Sequence, residues 1–145
     1  MTREIKHTFF FPHPLETVWD YLTKPELLSQ WLMENDIQPT VGHEFQFRSK
    51  PYPEIGFDGI VYCEVLQIVP LKLFSYSWKC SPSNGGFKID TVVEWTLMSK
   101  GNGTELNLHQ TGFKEKENEG FYMAMHNGWV QQAEKLMQNL NAHAK

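Results

Sequence analysis

Cysteine is scarce in this chain of 145 residues: Cys63 and Cys80 are the only two, and they form no CxxC pair. Two thiols cannot build a disulfide framework, so the chain reads as a reduced, cytoplasmic protein held together by its core. Long apolar runs are also missing. Phe9-Phe10-Phe11 stops at Pro12, which leaves neither a signal peptide nor a membrane-spanning segment to expect. Positive charge is in short supply, with 13 Lys and Arg against 17 Asp and Glu and a net charge of −4. No basic patch is dense enough for a phosphate backbone, which argues against nucleic acid. The six histidines make no HExxH motif and no Cys/His cluster at zinc spacing, and GxSxG, P-loop and GxGxxG signatures do not occur. The residues therefore lead us to expect no metal, no cofactor and no catalytic constellation.

Aromatic rings, by contrast, are abundant: 10 Phe, 5 Trp and 5 Tyr. Rings fill cores, and they also line apolar cavities. Ile5 to Phe11 reads as a strand closed by Pro12. Pro14 suits a first helical position, and Leu15, Val18, Trp19 and Leu22 follow at helical spacing, with Trp19 as a core anchor. Pro25 restarts a second short helix through Leu27, Leu28, Trp31 and Leu32. After Gly42 the period changes to two, placing Phe45 and Phe47 on one face and Glu44, Gln46 and Arg48 on the other. Lys50-Pro51-Tyr52-Pro53 reads as a stiff loop. Strands follow at Gly59 to Val69, Leu73 to Trp78, Thr91 to Leu97 and Glu105 to Gln110. Turns at Ser81 to Gly86 and Lys100 to Gly103 punctuate them.

Lys114 to Glu119 is a charged connection. From Gly120 to about Leu140 the pattern is helical, with Phe121, Met125, Trp129, Ala133, Leu136 and Leu140 on one stripe and Met137 beside it. A sheet with so many rings on one face needs a cover, and this helix is long enough to supply it. The expected architecture is thus a single α+β domain over residues 1–145. A curved antiparallel sheet of about six strands wraps a long C-terminal helix, with two short helices after the first strand.

Strand parity and the helical stripe bring a set of side chains to the interior. From the sheet come Phe45, Phe47, Phe74, Tyr76, Trp78, Val93, Trp95, Leu108 and Gln110; from the last helix come Phe121, Met125 and Trp129. Trp31, near a helix end, is either a core residue or the lip of a pocket. The others either fill a solid core or line a cavity. Tyr76, Gln110 and the indole N–H groups favour a cavity, because buried polar groups need partners. Glu64 and Glu94 face water by alternation, unless a bulge reverses the parity near Glu64. Cys63 reads as a small core residue, and His126 flanks the helical stripe.

Several ordered pieces carry a family resemblance. They are Pro14 through Trp31 (PLETVWDYLTKPELLSQW), Gly42-x-x-Phe45, Gly59-Ile60-Val61 running into Pro70, Tyr76-Ser77-Trp78 and Val93-Glu94-Trp95. Gly103-Thr104-Glu105-Leu106, Gly112-Phe113 and Gly128-Trp129 complete the set. Together they resemble the helix-grip fold of the START-like (SRPBCC, Bet v-like) superfamily. Within it they are most similar to bacterial stand-alone homologues of the activator of heat-shock protein 90 ATPase. The resemblance implies a cavity between sheet and C-terminal helix. Superfamily members differ in what they bind: lipids, polyketides, plant phenolics or chaperones. Relatives commonly carry a His just before the Thr/Ser-Gly-Phe turn. Here that position is Gln110, with His109 one residue earlier and facing the other way.

The expected function is binding of a small, mostly apolar ligand, lipid-like or aromatic. The alternatives are a cofactor of the heat-shock protein 90 ATPase and a cyclase- or hydratase-type enzyme using the same pocket. The expected oligomeric state is a monomer or weak homodimer, since an aromatic edge strand near Phe9 to Phe11 offers a pairing surface.

Overall fold

A computed structural model describes residues 2–83 and 85–143. Strand β1 (Thr2–Phe11) is followed by helices α1 (Leu15–Thr23) and α2 (Pro25–Trp31). Then come β2 (Glu34–Asn35), β3 (Glu44–Arg48), a 3-10 turn (Pro53–Ile55), β4 (Ile60–Val69), β5 (Leu73–Ser83), β6 (Gly86–Lys100), β7 (Gly103–Lys114) and the long helix α3 (Glu119–His143). The strands form one antiparallel sheet of seven in the order β1-β7-β6-β5-β4-β3-β2. β1 and β2 are thus opposite edges, and α1 with α2 carries the chain between them.

The two short helices form because Pro25 interrupts what would be one. Lys24 is extended, as a residue before proline prefers, and it serves as C-cap of α1 and N-cap of α2. α1 buries Val18, Tyr21 and Leu22. Trp19 was expected as an anchor of the core; it is half-buried at its margin, edge-on to Phe74 at 6.0 Å.

Two bulges bend the sheet. Leu66 has no partner across β5, because Val65 pairs with Tyr76 and Gln67 with Ser75. Gly112 is skipped between Phe113, opposite Arg3, and Thr111, opposite Glu4. Gly112 has φ +111, and a Cβ there would lie 2.8 Å from the Asp90 carbonyl, so only glycine fits this bulge. The bulge at Leu66 reverses parity only beyond Glu64. Glu64 therefore stays exposed, its backbone N–H donating to Ser77 Oγ at 2.9 Å.

The strands run longer than the sequence pattern predicts. β6 extends over 15 residues against the seven expected, and a two-residue β2 adds the seventh strand. Strand ends with exposed polar residues pair through backbone groups, which leave no periodic trace. The expected turn at Ser81 to Gly86 is tighter, since β5 reaches Ser83; Asn84 lies outside the described residues. Among the described residues no helix is long and apolar enough to cross a membrane.

Candidate functional site

The concave face of the sheet meets α3 in two zones. In the first, the polar groups of the aromatic core are paired. Trp95 donates its indole N–H to the Tyr76 hydroxyl at 3.0 Å. Trp129 donates to Gln110 Oε1 at 2.9 Å, Gln110 Nε2 to Thr91 Oγ1 at 3.0 Å, and Thr91 Oγ1 to the Trp78 carbonyl at 2.8 Å. Gln110 Nε2 also touches Met125 Sδ at 3.7 Å. This chain runs from α3 through β7 and β6 to β5, so it fixes the helix to three strands. Trp31 donates to the Tyr21 carbonyl at 2.9 Å. The rings pack edge to face: Trp95 lies 6.1 Å from Trp31 and 5.4 Å from Trp129.

The second zone is open. A cleft of about 200 Å³ lies where the first half of α3 passes the 3-10 turn. Leu32 and Met33 close one side after α2. Tyr52, Ile55 and Phe57 form the opposite rim, held in shape by the paired backbones of Tyr52 and Phe57 (N–H to O 2.9 and 3.1 Å). Val61 and Trp78 are the floor; Phe121, Ala124, Met125, Gly128, Trp129 and Gln132 are the helical wall. Tyr52 is 58% exposed, so the cleft opens to solvent there. Among the described residues, no Asp, Glu, Lys, Arg or His lines it.

Two polar atoms in these walls are unpaired. Trp78 is only 3% exposed, yet its indole N–H has no oxygen or nitrogen acceptor. Its nearest partner is the Cys80 thiol, a weak sulfur acceptor, whose ionised form the indole N–H stabilises a little. Gln132 Oε1 is likewise buried without a donor. Gly128 is the third unusual feature. A Cβ built there meets nothing within 4 Å, so no close packing demands glycine at this mid-helix position. Glycine inside a helix costs about 1 kcal/mol relative to alanine, and here its effect is to keep the cleft wide.

Burial governs the titratable groups of the sheet. It pushes the Cys80 thiol up to about 12, with Asp58 adding to the rise, and it raises the Cys63 thiol well above the usual range, with Cys80 and Asp36 adding. It also raises the Tyr76 hydroxyl, partly opposed by the Trp95 N–H. These groups stay neutral near pH 7 and supply no nucleophile or base there.

The profile of the family described as Activator of Hsp90 ATPase homolog 1-like protein matches residues 12–141. The chain belongs to this family. The structure is similar to protein MLL2253 from Mesorhizobium loti, which is 34% identical, with 99% of this chain and 100% of that one covered and a TM-score of 0.88. BH1534 from Bacillus halodurans is 27% identical, with 95% and 98% covered and a TM-score of 0.75. The Aha1 dimer from Colwellia psychrerythraea shares the fold at 18% identity, with 95% and 96% covered and a TM-score of 0.75. None of the curated proteins matches the chain.

Within this Hsp90-activator-like fold, Trp78, Phe121, Met125 and Trp129 of the sequence-predicted residues line the cleft. Trp31, Phe45, Phe47, Phe74, Tyr76, Val93, Trp95, Leu108 and Gln110 are buried in the paired zone and are not part of its walls. Tyr76 and Gln110, the polar pair expected to meet a ligand, spend their hydrogen bonds on Trp95, Trp129 and Thr91. His109 faces outward and meets Glu4 at 2.9 Å. Sequence reasoning missed Leu32, Met33, the Tyr52–Phe57 rim, Val61, Ala124, Gly128 and Gln132. A signal existed for part of this set: residues 121, 125, 128 and 132 recur at helical spacing, so Gly128 and Gln132 extend the face begun by Phe121 and Met125.

Proposed function

We propose that the protein binds a small, mostly apolar molecule in the cleft between the sheet, α3 and the Tyr52–Phe57 rim. The observation that carries this reading is the unfilled apolar space itself. Native interiors pack to crystal-like density with few voids. An open cleft walled by Val61, Phe57, Phe121, Met125 and two tryptophans departs from that rule. Its volume of about 200 Å³ lies below the range usual for drug-sized ligands. A dry engineered cavity of about 150 Å³ accepts benzene. The fitting occupant is therefore about the size of one substituted ring or a short branched chain, well short of a full lipid. Membership of a family with a helix-grip fold is consistent with this placement.

Saturation-transfer NMR with ethylbenzene, alongside the Gly128→Leu variant, tests the reading. A leucine at this position would fill the cleft from the helix side. Transfer to ethylbenzene in the parent protein and its loss in Gly128→Leu are the expected results. No transfer from the parent, or transfer unchanged by the leucine, would rule the cleft out as the binding site.

A further inference from the structure

We propose that β1 is a self-pairing edge: two copies of this chain join β1 to β1, antiparallel, about a two-fold axis at Thr8. The pairing registers show which backbone groups of β1 are open. Lys100 pairs with Gly103 across a two-residue turn, and a hairpin closed in this way ends on a hydrogen-bonded pair. Bonded and non-bonded pairs alternate along an antiparallel ladder. Gly103, Glu105, Asn107 and His109 therefore turn their backbone groups to β6, and Thr104, Leu106, Leu108 and Gln110 turn theirs to β1. The β1 partners of the second set are Phe11, Phe9, His7 and Ile5. Lys6, Thr8 and Phe10 thus point their N–H and C=O groups away from the sheet. All are exposed, and among the described residues nothing bonds to their backbones. Glu4, the next outward residue, has its carbonyl engaged by the Tyr122 hydroxyl at 3.4 Å, as the same parity requires.

The opposite edge of the sheet is blunted. There β2 covers Phe47 and Arg48, and the Asp36 carboxylate accepts the Gln46 N–H at 2.9 Å. β1 has no such cover from Lys6 to Phe10; it holds no proline, and its bulge lies back at Arg3 and Glu4. Open edges of this kind pair with another strand. The residues of β1 complement a second copy of themselves. Centred on Thr8, the copy sets Thr8 against the partner's Thr8 and Lys6 against the partner's Phe10, so every open N–H and C=O is bonded. Thr–Thr pairs are favourable across strands, and no like charges stand opposite one another. Phe10, 44% exposed, is covered by the methylene stem of the partner's Lys6, whose ammonium lies by the ring. Neighbouring centres fit worse. One residue earlier, Phe10 faces the partner's Glu4, whose carbonyl is engaged. One residue later, Lys6 faces the partner's Pro12, which has no N–H to give.

Sedimentation velocity at rising concentration should show monomer passing to dimer. Thr8→Pro should weaken that association by at least about ten-fold and leave the melting temperature within a few degrees, because proline at an outward position removes no bond to β7. The register is read on the parent protein, in a mixture of ¹³C-labelled and unlabelled chains. An intermolecular NOE between His7 Hα and the partner's Phe9 Hα is expected, since these form a non-bonded pair with Cα atoms about 4.5 Å apart. A parent that stays monomeric at every concentration would overturn the proposal. So would a dimer without the His7–Phe9 NOE, whether or not Thr8→Pro folds. An NOE from His7 to the partner's His7 would overturn the axis at Thr8. A folded Thr8→Pro that still dimerises as tightly as the parent would place the interface on another surface.

Discussion

Trp95 and Trp78 stand on adjacent strands of one sheet and face the same helix, yet their surroundings differ. Trp95 has its N–H on Tyr76 and its ring against Trp31 and Trp129. Trp78 packs on Phe47 and Trp129, leaves its N–H without an oxygen or nitrogen acceptor and borders open space. The difference lies in what α3 offers to each. Beyond Trp129 the helix presents Ala133, Leu136 and Leu140, all buried. Before it the helix turns Phe121 and Met125 to the cleft wall, and at Gly128 it presents no side chain. One helix thus closes half of the interface and leaves the other half unfilled, and the proposed binding falls to the unfilled half.

The comparison is sharpest when polar partners are removed. Trp95→Phe should cost about 3 kcal/mol, since it leaves a void and strands the buried Tyr76 hydroxyl. Trp78→Phe should cost about 1 kcal/mol, because no hydrogen bond is broken and the lost volume joins an existing cleft. Urea denaturation of the two variants measures the difference; equal costs would contradict a closed half and an open half. Gln110→Leu should cost about 2 kcal/mol in the same assay, because Trp129 then loses its acceptor.

The thiols report how dry the interior of the sheet is. Cys80 and Cys63 are raised by burial in the folded state, so the stability they contribute is fully present below about pH 8.5, the ordinary thiol value. It falls as pH rises towards about 12, where Cys80 ionises in the folded protein. Each thiol removes up to about 1.4 kcal/mol per pH unit in that window. Denaturation midpoints between pH 8 and 11 should decline, and Cys80→Ala should decline less steeply. Normal thiol titration in the native protein would contradict the burial of both thiols.

The smallest expected effect has the opposite sign. Gly128→Ala should raise stability by about 0.5–1 kcal/mol, seen as a higher melting temperature, because the added methyl meets no neighbour and helix propensity improves. The same change should weaken ethylbenzene binding. A stabilised variant with unchanged binding would dissociate the glycine from the cleft.

The closed half was legible in the sequence and the open half largely was not. Phe45, Phe47, Phe74, Tyr76, Trp78 and Trp95 follow strict alternation, so their common face could be read before any coordinates, and Pro25 marked the break between α1 and α2. Parity says which side a residue faces, but not whether anything stands opposite it. The same residue types therefore fitted a filled core and a cavity equally well. The rim was hidden for another reason: Tyr52, Ile55 and Phe57 lie in an irregular Pro- and Gly-containing loop, where no period assigns a face. Gln110 looked like a ligand contact because its partners, Thr91 and Trp129, are 19 residues away along the chain.

On the proposed binding, ligand enters the open half beside Trp78 and leaves the closed half around Trp95 untouched. Intermolecular NOEs between bound ethylbenzene and the protein measure this directly. Cross-peaks from the ring protons to the Trp78 ring and the Met125 methyl group, with none to the Trp95 indole, are the predicted result. Cross-peaks to the Trp95 indole, or binding that touches neither Trp78 nor Met125, would contradict it.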